Sequence, residues 1–266
     1  MLRWCVYRVL IVLVLLLGGL LVRASTFEGY RQVAVAPHVH SVFSDGKASI
    51  AEVVKRARAA GFQAVWIADH TDFHVEYPLG LFTAGFALNS IRERGFPQYL
   101  AACRAAQADY PEMLVLPGFE VAPFYFWSGS PLSSKMILHQ WMKHLFVVGI
   151  EDPRAFARLP MLGYGTSAFR IGRTDAGEQP YLDFTHAVRE AGGLAFWAHP
   201  AQQPGEERVR ANAYSAVAPY AESLLTVPES AGAAIHAIDN TLAKPGGIWD
   251  RALLEYTAGK RPIPPW

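Results

Sequence analysis

The stretch Pro37-His38-Val39-His40-Ser41-Val42-Phe43-Ser44-Asp45-Gly46 places two histidines one residue apart, an acid five residues further on, and a glycine at its close. Imidazole nitrogen and carboxylate oxygen are donors that zinc, manganese and iron accept. The run is therefore either part of a metal site or a polar turn. It ends an apolar segment beginning at Gln32, which predicts a first strand. For both histidines to reach one ion, His-Val-His is expected where that strand breaks into a loop, and Ser41–Gly46 supplies the break.

Outward from this stretch, short β-rich runs alternate with helical patterns, a rhythm that predicts parallel strands joined by crossover helices. Ala48–Gly61 reads as a helix with a capping box, Ser49 with Glu52, and Gly61 as its stop. Ala64–His70 reads as the second strand, Pro97–Pro111 as a helix, Met113–Val121 as the third strand and Lys143–Ile150 as the fourth. A helix over Tyr181–Gly193, a fifth strand over Leu194–Pro200 and a sixth over Ala233–Asn240 complete the series. Phe73–Phe96 and Ala122–His139 are rich in aromatic residues, Gly and Pro without clean period, and read as long loops over one face. The aromatic run Phe124–Gly129 is read as core cover in preference to a stacking platform for a base or sugar.

The predicted strands share one feature. Each carries a candidate ligand at or just past its C-terminal end: His38 and His40, then Asp69 and His70, then Glu120, then His199. In a parallel barrel those ends lie on one rim, so residues far apart in sequence converge there. His144 fits less neatly because it precedes its apolar run. A lone histidine on an apolar strand is more often a hydrogen-bonded core residue than a ligand, and the same holds for a lone acid. Their repeated placement where apolar runs stop favours a multinuclear metal site. Asp69 is expected to orient a neighbouring imidazole. His74, His139, His186 and His236 lack such placement and read as surface or supporting residues.

The chain of 266 residues carries 24 Lys and Arg against 23 Asp and Glu, so no basic field attracts nucleic acid. Its 52% hydrophobic content suffices for a substantial core. The start has Arg3 and Arg8 around an apolar run, Val9–Val22, followed by Val22-Arg23-Ala24, which resembles a cleavage site. The run is shorter than the roughly 20 residues a spanning helix prefers. Residues 1–24 are thus read as a signal peptide or membrane anchor, with the remainder periplasmic or extracellular and no other tie to the membrane. Cys5 and Cys103 are the chain's two cysteines, and the exported part keeps no disulfide pair.

With those residues in hand, the sequence resembles the PHP (polymerase and histidinol phosphatase) family of metal-dependent phosphoesterases. The resemblance rests on "HVHSVFSDG" at His38, "GFQAVWIADHTD" containing His70, "PGFEV" at Glu120, "HLFVVG" at His144 and "AHP" at His199. It implies an α/β fold, a distorted (β/α)7 barrel over residues 30–266 with two or three divalent ions (Zn, Mn or Fe) at its rim. Carried over by position, His38, His40 and Glu120 would serve one ion, with Glu120 bridging to a second held by His144 and His199. Asp45 and His70 would serve a third. The family pattern continues to an Asp-x-His on a last strand, and no Asp-x-His follows His199 in this sequence. Asp239-Asn240 falls on the preceding strand, with Asp239 at most a substitute ligand, and the expectation is a chain cut short of its final strand.

The implied reaction is hydrolysis of a small phosphorylated substrate by metal-activated water attacking phosphorus in line, with no protein base assigned. Lys135, Lys143, Arg170 and Arg173 are available for phosphate, and none is assigned. His139 is a weak candidate to protonate the leaving oxygen. Two other readings stay open. One is amide or lactone hydrolysis at the same centre; the other is a metal-binding relic without turnover.

Overall fold

The apolar runs fold as strands in the computed structural model of the chain, which describes residues 32–72, 74–79, 82–130, 135–161, 174–210, 212–234 and 244–263. The segment 1–24, Arg170, Arg173, His236, Asp239 and Asn240 lie outside the described residues. So does most of the sixth expected strand. Among the described residues no helix is long and apolar enough to cross a membrane.

The chain has an α/β fold whose main sheet has six strands in the order β1 (Val35–Val39), β2 (Ala64–Ile67), β5 (Leu114–Val121), β8 (Leu145–Val148), β9 (Leu194–Trp197) and β12 (Gly232–Ala233). β1, β2 and β5 are parallel, as expected. β8 is not: it runs antiparallel to both β5 and β9. Among its described residues the link from β5 to β8 contains no crossover helix; it holds β6 (Phe126–Gly129) and β7 (Met136–His139) instead. Without a crossover the chain re-enters the sheet in the opposite sense. The N-terminal end of β8 therefore lies beside the C-terminal ends of β5 and β9, which explains why His144 precedes its apolar run while the other candidates follow theirs.

The two segments read as loops contain strands. β3 (His74–Leu79) and β4 (Phe82–Ala87) form a hairpin, and β6 and β7 join β10 (Gly205–Arg210) and β11 (Ala213–Val217) in a separate sheet ordered β10-β11-β7-β6. Their side chains build a small core of their own, with Val75, Tyr125, Trp127, Leu138, Trp141 and Ala213 buried together. The aromatic run thus serves as core cover, though its core is not that of the main sheet.

Helix α1 (Ile50–Ala59) starts where Ser49 accepts the Glu52 backbone N–H at 3.2 Å, and stops before Gly61 at φ +87°. Glu52 does not reach back to close the expected box. Its carboxylate takes Arg56 one turn on, at 2.9 Å. A short α2 (Ile91–Arg94) leads into α3 (Phe96–Asp109), which buries Tyr99, Leu100 and Cys103. Next come α4 (Pro153–Arg158), α5 (Gln179–Glu190), α6 (Ser223–Thr226) and α7 (Ile248–Thr257), of which α5 buries Tyr181, Phe184 and Val188.

Alternation along the strands divides the main sheet into two faces. Val65, Ile67, Leu145, Val147, Ala195 and Trp197 join the large core with the helices. Trp66, Ala68, Phe146, Phe196 and Ala198 form a thin layer on the opposite face. His38 stacks on Phe146 of that layer, ring centroids 5.1 Å apart, so the candidate site rests on this second face.

The large core is tied to the strand ends by Tyr99. Its hydroxyl donates to the Gly118 carbonyl at 2.6 Å and lies 3.2 Å from the Ile67 carbonyl, two and three residues before Glu120 and His70. We predict that Tyr99→Phe lowers stability by about 1–3 kcal/mol, the cost of stranding a buried acceptor, visible as a lower urea midpoint with unchanged slope.

Candidate metal centre

The first strand does not simply break at His-Val-His. His38 belongs to β1, at φ +56°, and the β1–β2 register slips between Ala36 and Val39. On a regular strand the two histidines would stand side by side, about 6.6 Å apart along the chain. The bulge and the left-handed residue turn them together until their Nε2 atoms are 3.1 Å apart.

Asp69 holds the turn that follows. Fully buried at 0% exposure, its carboxylate accepts the Ser41 N–H at 2.8 Å, the Ser41 hydroxyl at 2.7 Å, the Ser44 N–H at 3.0 Å and the Ser44 hydroxyl at 2.7 Å. Asp69 was expected to orient an imidazole; it instead pins the loop between His40 and Asp45. Gly46 completes the turn by donating its N–H to the Ser41 carbonyl at 2.9 Å. A Cβ there would overlap the His40 carbonyl, so close approach requires glycine.

Glu120 stands at the centre, 1% exposed. Its Oε2 lies 3.1 Å from His38 Nε2, 3.0 Å from His40 Nε2 and 3.4 Å from His70 Nε2. Its Oε1 lies 2.9 Å from His144 Nδ1 and 3.1 Å from His199 Nε2, and those two nitrogens are 3.2 Å apart. Asp45 Oδ1 lies 2.6 Å from His40 Nδ1, and Asp45 Oδ2 lies 4.0 Å from His70 Nε2. The structure thus brings all seven expected residues into one cluster. His70 is nearer to Glu120 than to Asp45, its expected companion.

These spacings test whether a cation fits. Donors each 2.0–2.2 Å from a common ion, at angles between octahedral and tetrahedral, stand about 2.8–3.6 Å apart. The contacts to Glu120 and between the paired imidazoles fall within that window. Three sets, His38/His40/Glu120, His40/Asp45/His70 and His70/Glu120/His144, each present donor atoms within 4.8 Å of one another. Hydrogen bonding alone serves the cluster poorly, because paired ring nitrogens aim at each other as well as at the carboxylate. Divalent ions held between them would take up those lone pairs.

In the bare cluster these groups shift one another's protonation. Burial opposes ionisation of Glu120, yet the surrounding histidines, His144 and His70 foremost, hold its carboxyl well below the usual range. Burial also disfavours charge on His40, but Asp45 and Glu120 overcome it and raise its pKa to about 10. For His70 burial wins, helped by the neighbouring His144 and His40, and lowers its pKa to about 3. One imidazole is thereby kept charged and another kept neutral within the same few ångströms.

Two other described histidines stand apart. His139 bonds Ser128 Oγ at 2.7 Å and stacks on Phe126, and His186 pairs with Glu229. The His74 side chain lies outside the described residues. Sequence reading missed Tyr220, whose hydroxyl reaches the backbone of His144 and the ring of His199. Burial pushes that phenol well above its ordinary pKa. No motif marks it; only the fold brings "PYAES" to the rim.

Residues 37–145 match the model of the PHP domain family. No curated protein matches the chain. Among solved structures it is similar to a two-domain protein of Bacteroides vulgatus ATCC 8482 containing a predicted PHP-like metal-dependent phosphoesterase, with 18% identity, TM-score 0.40, and 77% of this chain and 45% of that one covered. A protein of Bifidobacterium adolescentis ATCC 15703, described as a proposed metal-dependent phosphoesterase, shows 15% identity, TM-score 0.34, and coverage of 64% and 68%. The chain thus spans less than half the length of the first.

The loop geometry makes a prediction independent of any activity. Asp69→Ala strands two backbone N–H groups and two hydroxyls, and should lower stability by about 3 kcal/mol or more. In calorimetric titration with Zn²⁺, the same variant should bind about 10–100-fold more weakly as Asp45 and His40 lose their fixed placement.

Proposed function

We propose, from the PHP domain that residues 37–145 carry, that the protein is a metal-dependent phosphoesterase acting on a small phosphorylated substrate. The observation that carries the reading is the division of Glu120 between two groups of imidazoles. His38 and His40 share one carboxylate oxygen, and His144 and His199 share the other. A single bridging carboxylate between two nitrogen pairs is the arrangement of a two-ion site. Asp45 and His70 are placed to complete a third position beside His40.

Divalent ions held by His38, His40, Glu120, His144 and His199 would supply positive charge against a phosphoryl group and would lower the pKa of a water from about 15.7 towards about 7. The protein's own residues do the rest. Glu120 fixes the spacing of the two positions, and its buried charge offsets part of the cations' charge. His38, resting on Phe146, and the thin apolar layer beneath it close the floor of the site to water.

A cleft of about 360 Å³ lies beside the His144 and His199 half, lined by His139, Gln140, Lys143, Glu178, Gln202 and Tyr220 among others. It offers room for the organic part of a substrate. Lys143 is not free to meet phosphate there. Its ammonium lies 2.8 Å from both oxygens of Glu178 and 4.2 Å from the centre of the Tyr181 ring. Lys135 is likewise paired with Glu206. Of the four basic candidates these two are described, and with both paired the ions are left as the phosphoryl partners among the described residues.

Two finer points belong to the same proposal. The six-stranded sheet is read as the larger part of a distorted (β/α)7 barrel. The reaction is placed outside the cytoplasm, in the periplasm or beyond, on the sequence of residues 1–24 alone.

Purified protein loaded with Mn²⁺ or Zn²⁺ should hydrolyse an aryl phosphate, and a chelator should abolish the activity. His40→Ala and Glu120→Gln should each lower turnover by about 100-fold or more. Turnover of acyl substrates with none of phosphate esters would replace this reading with an amide or lactone hydrolase. Bound metal without either activity would leave only a binding protein.

A further inference from the structure

The hydroxyl of Tyr220 touches three groups, and their chemistry fixes which way each bond runs. It donates its one proton to the Ala198 carbonyl, in a short contact. Its oxygen accepts the backbone N–H of His144 at 3.2 Å. The third neighbour is His199 Nδ1, at 3.3 Å. A phenol has a single proton to give, and here the carbonyl has taken it. The oxygen can only accept from His199, so His199 Nδ1 must carry a hydrogen.

In the neutral ring, the form that can ligate a metal, the other nitrogen is thereby left as a lone pair. His199 Nε2 faces Glu120 Oε1 at 3.1 Å and His144 Nδ1 at 3.2 Å. An unprotonated imidazole nitrogen and an ionised carboxylate oxygen repel at that distance unless a cation lies between them. We propose that Tyr220 is the positioning residue for the His144/His199 half of the centre, setting the His199 tautomer so that Nε2 is presented to a divalent ion. The proposal deepens the two-ion reading above and rests on it.

The surroundings support the assignment. His199 has φ +33°, a conformation that a histidine holds only under constraint from its neighbours. Three contacts supply it: the Tyr220 hydroxyl on the ring, the Tyr220 N–H on the Pro200 carbonyl at 2.8 Å, and the Gln202 N–H on the His199 carbonyl at 3.2 Å. The Tyr220 ring packs 5.5 Å from Trp197, centre to centre. A phenylalanine would keep that packing and lose only the hydroxyl. The His38/His40 half makes no contact with Tyr220 among the described bonds, so the effect should fall on one ion alone.

The test is Zn²⁺ titration of full-length Tyr220→Phe by calorimetry, alongside ¹⁵N imidazole spectra of the unmodified protein. The expected result is that one of two Zn²⁺ equilibria weakens about 10–100-fold while the other is unchanged. In the spectra His199 should carry hydrogen on Nδ1 before Zn²⁺ is added and keep it afterwards. Equal weakening of both equilibria, or of neither, would overturn the proposal, and so would an Nε2–H tautomer with bare Nδ1. If the unmodified protein binds no Zn²⁺, the two-ion reading fails. The metal-free spectrum still decides the role of Tyr220, and does so even if the variant does not fold.

Discussion

A single buried carboxylate surrounded by imidazoles is the constraint on which the rest of the molecule depends. Glu120 is almost wholly removed from solvent, and an ionised carboxylate in that position is tolerated only when paired. Five histidines from four separate segments supply the pairing, and each must arrive with a ring nitrogen aimed inward. Meeting that requirement fixes the ends of β1, β2, β5 and β9 and the start of β8 relative to one another. The sheet is thus held at its rim by the site as well as through its body by the large core.

This dependence accounts for the reversed strand. In an all-parallel arrangement the residue before an apolar run would lie at the far end of the sheet, and His144 could not reach Glu120. With β8 antiparallel to β5, residue 144 comes to the rim and its Nδ1 approaches Glu120 to 2.9 Å. The small sheet containing β6 and β7 occupies the link that would otherwise hold a crossover helix. One topological change therefore delivers both a ligand and the side wall of the adjacent cleft, through Phe126, His139 and Gln140.

The parts legible in the sequence are those encoded locally. The helix after Ser49, the strand ending in Glu120 and the placement of His38, His40, His70 and His199 near strand ends follow from periodicity and caps. Asp45 and His144 came instead from the family resemblance, and the fold brings them to the same cluster. What stayed hidden depends on pairing between distant segments. β3, β6 and β7 were not readable because their side chains, among them Val75, Tyr77, Trp127 and Leu138, pack against one another in a second core. Asp69 was expected to orient a neighbouring imidazole, and its carboxylate instead takes the buried amides and hydroxyls of Ser41 and Ser44. Tyr220 lies in a segment with no distinguishing pattern; its meaning comes from three partners at residues 144, 198 and 199.

The backbone gives a further reason to treat fold and site as one problem. Among the described residues the non-glycine positions with positive φ are His38, Gln140 and His199, of which two are proposed ligands and the third lines the adjacent cleft. Such conformations cost on the order of 1–3 kcal/mol each and persist only where the surroundings over-determine them. The bulge in β1 does so at His38, and Tyr220 with Gln202 does so at His199. Both strained residues aim a nitrogen at an oxygen of the same carboxylate, one from each side. Relaxing either backbone would withdraw its ring and leave Glu120 buried with fewer partners, a larger penalty than the strain itself. The strained geometry is therefore maintained by the charge at its centre, and an ion bound between the two rings would reinforce both.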